Sequence, residues 1–246
     1  MAEIRAFGLL ADVDCRSAIN GMPIRRKSPA PAKLRAARKN SGASIAALAE
    51  ALCDTCHRFG ERQWCLATGG NFSARVDGRH FLITQSGKDK SALTADDLMI
   101  CDVHGRPRDP GLVPSAEIAL HACVYRHDAA IGAVFHTHSV TATVLSRAAG
   151  EAVAISGYEM QKALTGIRSH EQGITVPVFD NTQDMPALAK NLADYLAGKP
   201  SVAPGFLIRG HGLYAWGKDV TEARRHLEGL EFLLSCVWQE GFAFRR

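Results

Sequence analysis

Ala129-Ala130-Ile131-Gly132-Ala133-Val134-Phe135-His136-Thr137-His138-Ser139 is the stretch on which the reading of this chain turns. An apolar run leads into two histidines at i and i+2. Residues two apart on a β-strand face the same side. A strand ending here aims both imidazoles at one point, as a transition-metal site requires. A buried strand with two satisfied histidines has the same pattern, so further ligands have to come from elsewhere in the chain.

The chain has 246 residues, 46% of them hydrophobic and 22% charged, which fits one large domain or one domain with an appendage. No apolar run approaches the ~20 residues that span a bilayer. The first residues lack a long apolar segment of the secretory type, so a cytoplasmic location is expected, without a membrane partner. The net charge is +4. Much of the basic excess is one cluster, Arg16, Arg25, Arg26, Lys27, Lys33, Arg35 and Arg38, with no acid among them. The remainder is close to neutral, which argues against a nucleic-acid-binding domain. Residues 1–42 carry this cluster with Pro23, Pro29 and Pro31 and no sustained period, and are expected to form a poorly ordered extension. Residues 43–246 are expected to form the functional domain. Seven cysteines are scattered. Cys53 and Cys56 have redox or zinc spacing, but no second such pair completes a structural zinc site, and a structural role is expected for them.

From Ile45 the residues Ile45, Leu48, Leu52, Cys56 and Phe59 recur at helical spacing. Gly69-Gly70-Asn71-Phe72-Ser73 follows, where two glycines permit close approach of backbone to a ligand and successive N–H groups can cradle an oxyanion. A plain hairpin turn explains the same residues. A strand over 79–84 runs into Gln85-Ser86-Gly87-Lys88-Asp89-Lys90, a second candidate ligand loop. Ser115 is expected to cap a helix carrying Glu117 in its first turn. Ile174 to Phe179 is expected to be an edge strand, because Pro177 cannot donate to a ladder. Helices are expected over 185–197 and from Asp219 onward, with strands on both sides of Gly210-His211-Gly212.

Taken together, Gly69-Gly70-Asn71-Phe72-Ser73, Thr84-Gln85-Ser86-Gly87, Ser115-Ala116-Glu117, His136-Thr137-His138 and Gly210-His211-Gly212 resemble the class II aldolase/epimerase family of zinc-dependent sugar-phosphate lyases. The motifs occur in the family's order from about Ile45 to Glu240. Gly157 to Lys162 and Asn181 to Asp184 add a likeness to members that dehydrate their substrate. The resemblance implies an α/β fold, a three-layer α/β/α sandwich around a mostly antiparallel sheet. It also implies a homotetramer with active sites near subunit boundaries, and a small sugar phosphate as substrate.

The resemblance maps three metal ligands onto His136, His138 and His211, holding one Zn²⁺ per subunit. Gly70, Asn71, Ser73, Ser86, Gly87 and Ser115, with charge added by Lys90, match its phosphate-binding positions. Two carboxylates compete for acid–base work. Glu117 matches the aldolases' catalytic glutamate, and Glu159 the glutamate of the dehydratases. Glu159 is preferred for dehydration, since capping alone explains Glu117. Retro-aldol cleavage or 4-epimerisation is the alternative reaction, and a non-catalytic interaction protein a more distant one.

Overall fold

The structure, a computed structural model, describes residues 44–198 and 203–243. The basic extension expected over residues 1–42 lies outside them. Helix α1 (Ile45–Glu61) is capped by Ser44, whose hydroxyl accepts the Ala47 N–H at 3.2 Å. It buries Ile45, Ala49, Leu52, Cys53, Cys56 and Phe59, the stripe that the three- and four-residue spacing predicts. Cys53 and Cys56 both lie on this buried face. Burial pushes the Cys53 thiol up to about 11 and Cys56 well above its ordinary value, so neither is a reactive thiolate.

Eight strands form one sheet: β1 (Asn71–Arg75), β2 (His80–Thr84), β3 (Leu98–Asp102), β4 (Ala133–Thr137), β5 (Ala152–Ile155), β6 (Ile174–Phe179), β7 (Gly205–Ile208) and β8 (Gly212–Gly217). Their order is β3-β2-β1-β4-β8-β7-β6-β5. Every pairing is antiparallel except β6 with β7. The remaining helices are α2 (Ile118–His127), α3 (Val140–Ala148), α4 (Met185–Ala197) and α5 (Val220–Ala243).

Side-chain alternation along the strands divides the interior into two cores. Phe72, Leu82, Phe135, Leu207, Leu213 and Ala215 pack with α1, α3 and α5. Their neighbours Phe81, Ile83, Val134, Phe206, Ile208 and Trp216 pack with α2 and α4 on the opposite face. The result is the expected three-layer α/β/α sandwich. Phe59, Phe72 and Phe135 form an aromatic cluster under the first core, with ring centroids 5.4 to 6.3 Å apart. Fully burying a side chain of this size contributes roughly 1.5–3 kcal/mol, which makes this cluster a main anchor for β4.

Two expectations are corrected. Residues 71–75 follow the glycines not as a loop but as β1, an interior strand between β2 and β4. And β6 is not an edge strand, since β5 flanks it on one side and β7 on the other. It pairs with β5 across 174–177, and with β7 only at Val178 and Phe179. The Val178 N–H donates to Glu151 on the β5 flank. Pro177 therefore turns its nitrogen to the opposite flank, at the point where pairing with β7 is only beginning, and no ladder bond is lost.

Candidate active site

His136 is the fourth residue of β4, facing Asn71 of β1 across one pairing and Tyr214 of β8 across the other. Its ring stacks on Tyr214, centroids 4.0 Å apart. With Nδ1–H donating to the Leu213 carbonyl at 3.0 Å, the Nε2 lone pair is left free. His138, two residues on, brings its own Nε2 to 2.8 Å from that of His136. His211 supplies the third from the β7–β8 turn, with Nε2 at 3.0 Å from His138 and 3.4 Å from His136. That turn is held by α3: the Thr143 hydroxyl donates to the His211 carbonyl, and the Gly210 N–H donates to the Ser146 hydroxyl.

Two glycines let the strands close on this point. Gly70 adopts φ +78°, and a Cβ there would lie 2.7 Å from the His136 carbonyl oxygen. A Cβ on Gly212 would lie 2.0 Å from the Thr137 carbonyl oxygen, so β4 and β8 could not approach with any other residue.

Glu117 completes the cluster. Oε1 lies 2.9 Å from His211 Nε2 and Oε2 3.4 Å from His136 Nε2. The Ser115 hydroxyl accepts the Glu117 N–H at 3.3 Å as a cap would, but α2 begins only at Ile118, and the Glu117 side chain makes no cap bond. Its carboxylate instead accepts from the Asn71 amide at 2.6 Å and the Tyr214 hydroxyl at 3.0 Å. Burial opposes ionisation, but His136, His211 and the Asn71 amide outweigh it and hold Glu117 well below the usual carboxylate range. Burial pushes His136 well below its ordinary value, and burial with His211 nearby lowers His138 to about 4. His136 and His138 are thus neutral.

These four side chains are the metal-competent group among the described residues. Three Nε2 atoms lie within 3.4 Å of one another, close enough for one cation to share. Bonds of 2.0–2.1 Å to a tetrahedral ion set donor separations of ~3.3 Å, within the range found. The donor set therefore fits a divalent metal, with neutral nitrogens and one carboxylate.

Behind Asn71 runs a buried chain that the sequence does not announce. His121 Nε2–H donates to Asn71 Oδ1 at 2.5 Å, the Ser73 hydroxyl donates to His121 Nδ1 at 2.7 Å, and the Tyr125 hydroxyl lies 2.8 Å from Ser73. Burial lowers His121 to about 4 and keeps it neutral. This chain fixes which end of the Asn71 amide meets Glu117.

The residues expected to hold phosphate separate into two groups. Gly70, Asn71 and Ser115 lie together, with Asn71 Nδ2 3.4 Å from Ser115 Oγ. Ser86 and Gly87 are exposed and adjoin them through the Gln85–Pro114 bridge. Ser73 is fully buried in the chain just described. Lys90 is 1% exposed, and its Nζ donates to the Thr68 and Lys88 carbonyls at 2.8 and 2.6 Å. It braces a loop in which Ala67 and Thr68 take left-handed φ of 51° and 65°. Such conformations cost roughly 1–2 kcal/mol each in non-glycine residues.

Glu159 stands apart from the imidazoles. It opens a short 3₁₀ turn, Glu159–Ala163, its side chain is 68% exposed, and it pairs with Lys162 and His170. A cavity of ≈ 400 Å³ adjoins the cluster, lined by Glu117, His138 and His211 together with Thr143, Asn181, Gln183 and Met185. That volume suits a small phosphorylated ligand.

The sandwich, the histidine set and the glycine-rich loops are those of the class II aldolase fold. The chain belongs to the family described as class II aldolase and adducin N-terminal domain, which matches residues 50–238. It is 54% identical over 190 residues to a methylthioribulose-1-phosphate dehydratase of Yersinia pestis (strain Pestoides F), covering 77% of this chain and 85% of that one. A protein of the same description from Pectobacterium carotovorum is 52% identical, with 77% and 92% covered. Among solved structures, an L-fuculose-1-phosphate aldolase from Thermus thermophilus superposes with a TM-score of 0.62 at 26% identity, over 79% of this chain and 94% of that one.

Proposed function

We propose that the chain is a hydro-lyase that converts 5-methylthioribulose 1-phosphate to 2,3-diketo-5-methylthiopentyl 1-phosphate, a step of methionine salvage in the cytoplasm. The observation that carries this reading is the 54% identity to dehydratases of that substrate. The convergence of His136, His138, His211 and Glu117 beside the cavity supports it. No helix among the described residues is long and apolar enough to cross a membrane.

The three imidazoles would hold one zinc ion per subunit, with Glu117 beside it. Zinc bound there would supply a Lewis acid that polarises the substrate's ketone. Glu117, ionised and aimed by Asn71 and Tyr214, takes the C3 proton. The C4 hydroxyl leaves as water with a proton from an acid, and the resulting enol takes up a proton at C4 as it becomes the diketone. Proton transfers of this kind contribute typically ~10²–10⁴-fold. Glu159 is our candidate for the acid at C4. Its exposure suits delivery from a neighbouring subunit of a homotetramer. Gly70, Asn71, Ser115, Ser86 and Gly87 face the phosphate. Holding it positions C3 and C4, an effect that reaches roughly 7–11 kcal/mol in favourable cases.

Purified chain of known metal content, incubated with methylthioribulose 1-phosphate and separately with L-fuculose 1-phosphate, tests this. Diketone from the first and no cleavage of the second is expected. Carbon–carbon cleavage without diketone would move the chain to the aldolases. Glu159→Gln is expected to lower turnover at least 100-fold with metal content unchanged, and full turnover in that variant removes Glu159 from the reaction.

A further inference from the structure

Helix α5 packs on the face of β4 opposite to His136, and its buried stripe is Leu227, Leu230, Leu233 and Leu234. Within that stripe stands a carboxylate, Glu231, 4% exposed. A leucine would match its apolar neighbours on the helix. Glu231 instead takes one hydroxyl on each oxygen: Thr137 donates to Oε1 at 2.8 Å and Ser139 to Oε2 at 2.6 Å. These two residues flank His138 on either side. The backbone of His138 is held as well, its N–H donating to the Trp64 carbonyl at 2.8 Å. Ser139 also caps α3, accepting the Ala142 N–H at 3.1 Å. A single rigid helix thus grips both neighbours of one imidazole through one planar group.

We propose that Glu231 is a positioning residue for the metal centre, fixing the backbone of His138 through Thr137 and Ser139 so that its Nε2 meets those of His136 and His211. The strand end at this point has left the ladder, since β4 stops at Thr137, so sheet bonding alone does not set the height of His138. Groups that orient metal ligands from behind typically change metal affinity by 10–100-fold when removed. The inference rests on reading the imidazole cluster as a metal centre.

Cobalt-loaded full-length chain, challenged with a graded chelator and followed by the visible absorption of the bound ion, tests both points separately. Glu231→Gln and Thr137→Val are each expected to weaken cobalt retention 10–100-fold and to shift the absorption bands, and Thr137→Ser to restore both. Far-UV circular dichroism checks that each variant is folded. A folded Glu231→Gln chain with wild-type retention and spectrum overturns the proposal while leaving the metal centre standing. If that variant does not fold, a folded Thr137→Val chain with wild-type retention and spectrum overturns it equally. A wild-type chain that takes up no cobalt overturns both readings.

Discussion

Strand β4 sends a functional side chain to each of its faces, and each meets a buried carboxylate. On one face His136 lies against Glu117, which also accepts from Asn71 and Tyr214. On the other, Thr137 donates to Glu231, which has Ser139 as its second donor. The two acids are buried to a similar degree, 9% and 4% exposed, yet they ionise differently. Glu117 is held well below the usual carboxylate range by the imidazoles and the amide around it. Burial pushes Glu231 up to about 7, and its two hydroxyl donors only partly offset that. Burial depth alone does not decide a carboxylate's charge; the chemistry of its partners does. The face with nitrogen partners holds a ready anion, and the face with hydroxyl partners holds a brace.

The largest expected effect lies on the nitrogen face. His136→Ala removes one imidazole of three, and both bound metal, by mass spectrometry of the digested protein, and diketone formation are expected to fall to background. Measurable turnover in a metal-free variant would break the assignment of this face to catalysis. Next comes Glu117→Gln, which keeps shape but loses the anion. A kcat reduction of ~10²–10⁴-fold with metal content retained is expected, and an unchanged kcat would leave Glu117 as a spectator.

On the hydroxyl face the expected signature is in stability. The folded pKa of Glu231, about 7, stands above its ordinary 4.5. Between these values the folded chain binds the proton more tightly than the unfolded one. Stability is therefore highest, as far as this group is concerned, below pH 4.5, and is lost as pH rises through 7, by about 3 kcal/mol in total. Urea unfolding from pH 5 to 8 should show this decline in the wild type and not in Glu231→Gln. Equal slopes in the two proteins would remove the contrast between the faces. The smallest effect belongs to Ser73. Ser73→Ala breaks the chain behind Asn71 and is expected to cost about 1 kcal/mol of stability with KM unchanged, whereas Ser115→Ala should raise KM. A raised KM in Ser73→Ala would return Ser73 to the phosphate site.

His136 and His138 were legible as a pair from the two-residue period on β4, whereas His211 entered only through the family resemblance, because its approach to them is made by the pairing of β4 with β8. Helices α1, α4 and α5 were legible from their apolar spacing. β1 was hidden by Gly69 and Gly70, whose turn signal outweighs a five-residue strand in which the inward positions of one face are Asn71 and Ser73 rather than apolar residues. Lys90 was expected to add charge at the phosphate, and Glu231 drew no reading, since nothing local marks a buried charge whose partners include residues 22 and 92 to 94 positions away. His121 lies in a helical pattern that gives no sign of its hold over Asn71. Tertiary pairing over such separations leaves no periodicity in the chain.

The placement of Pro177 has a kinetic consequence. β6 joins β7 through two residue pairs but β5 through four, so the β5–β6 hairpin is a unit bound more firmly to itself than to the rest of the sheet. In native-state hydrogen exchange its amides should open together, ahead of those of β4 and β8. The connection between these two strands carries Glu159, so the residue proposed as the acid at C4 is mounted on a hairpin held to the sheet through only two residue pairs.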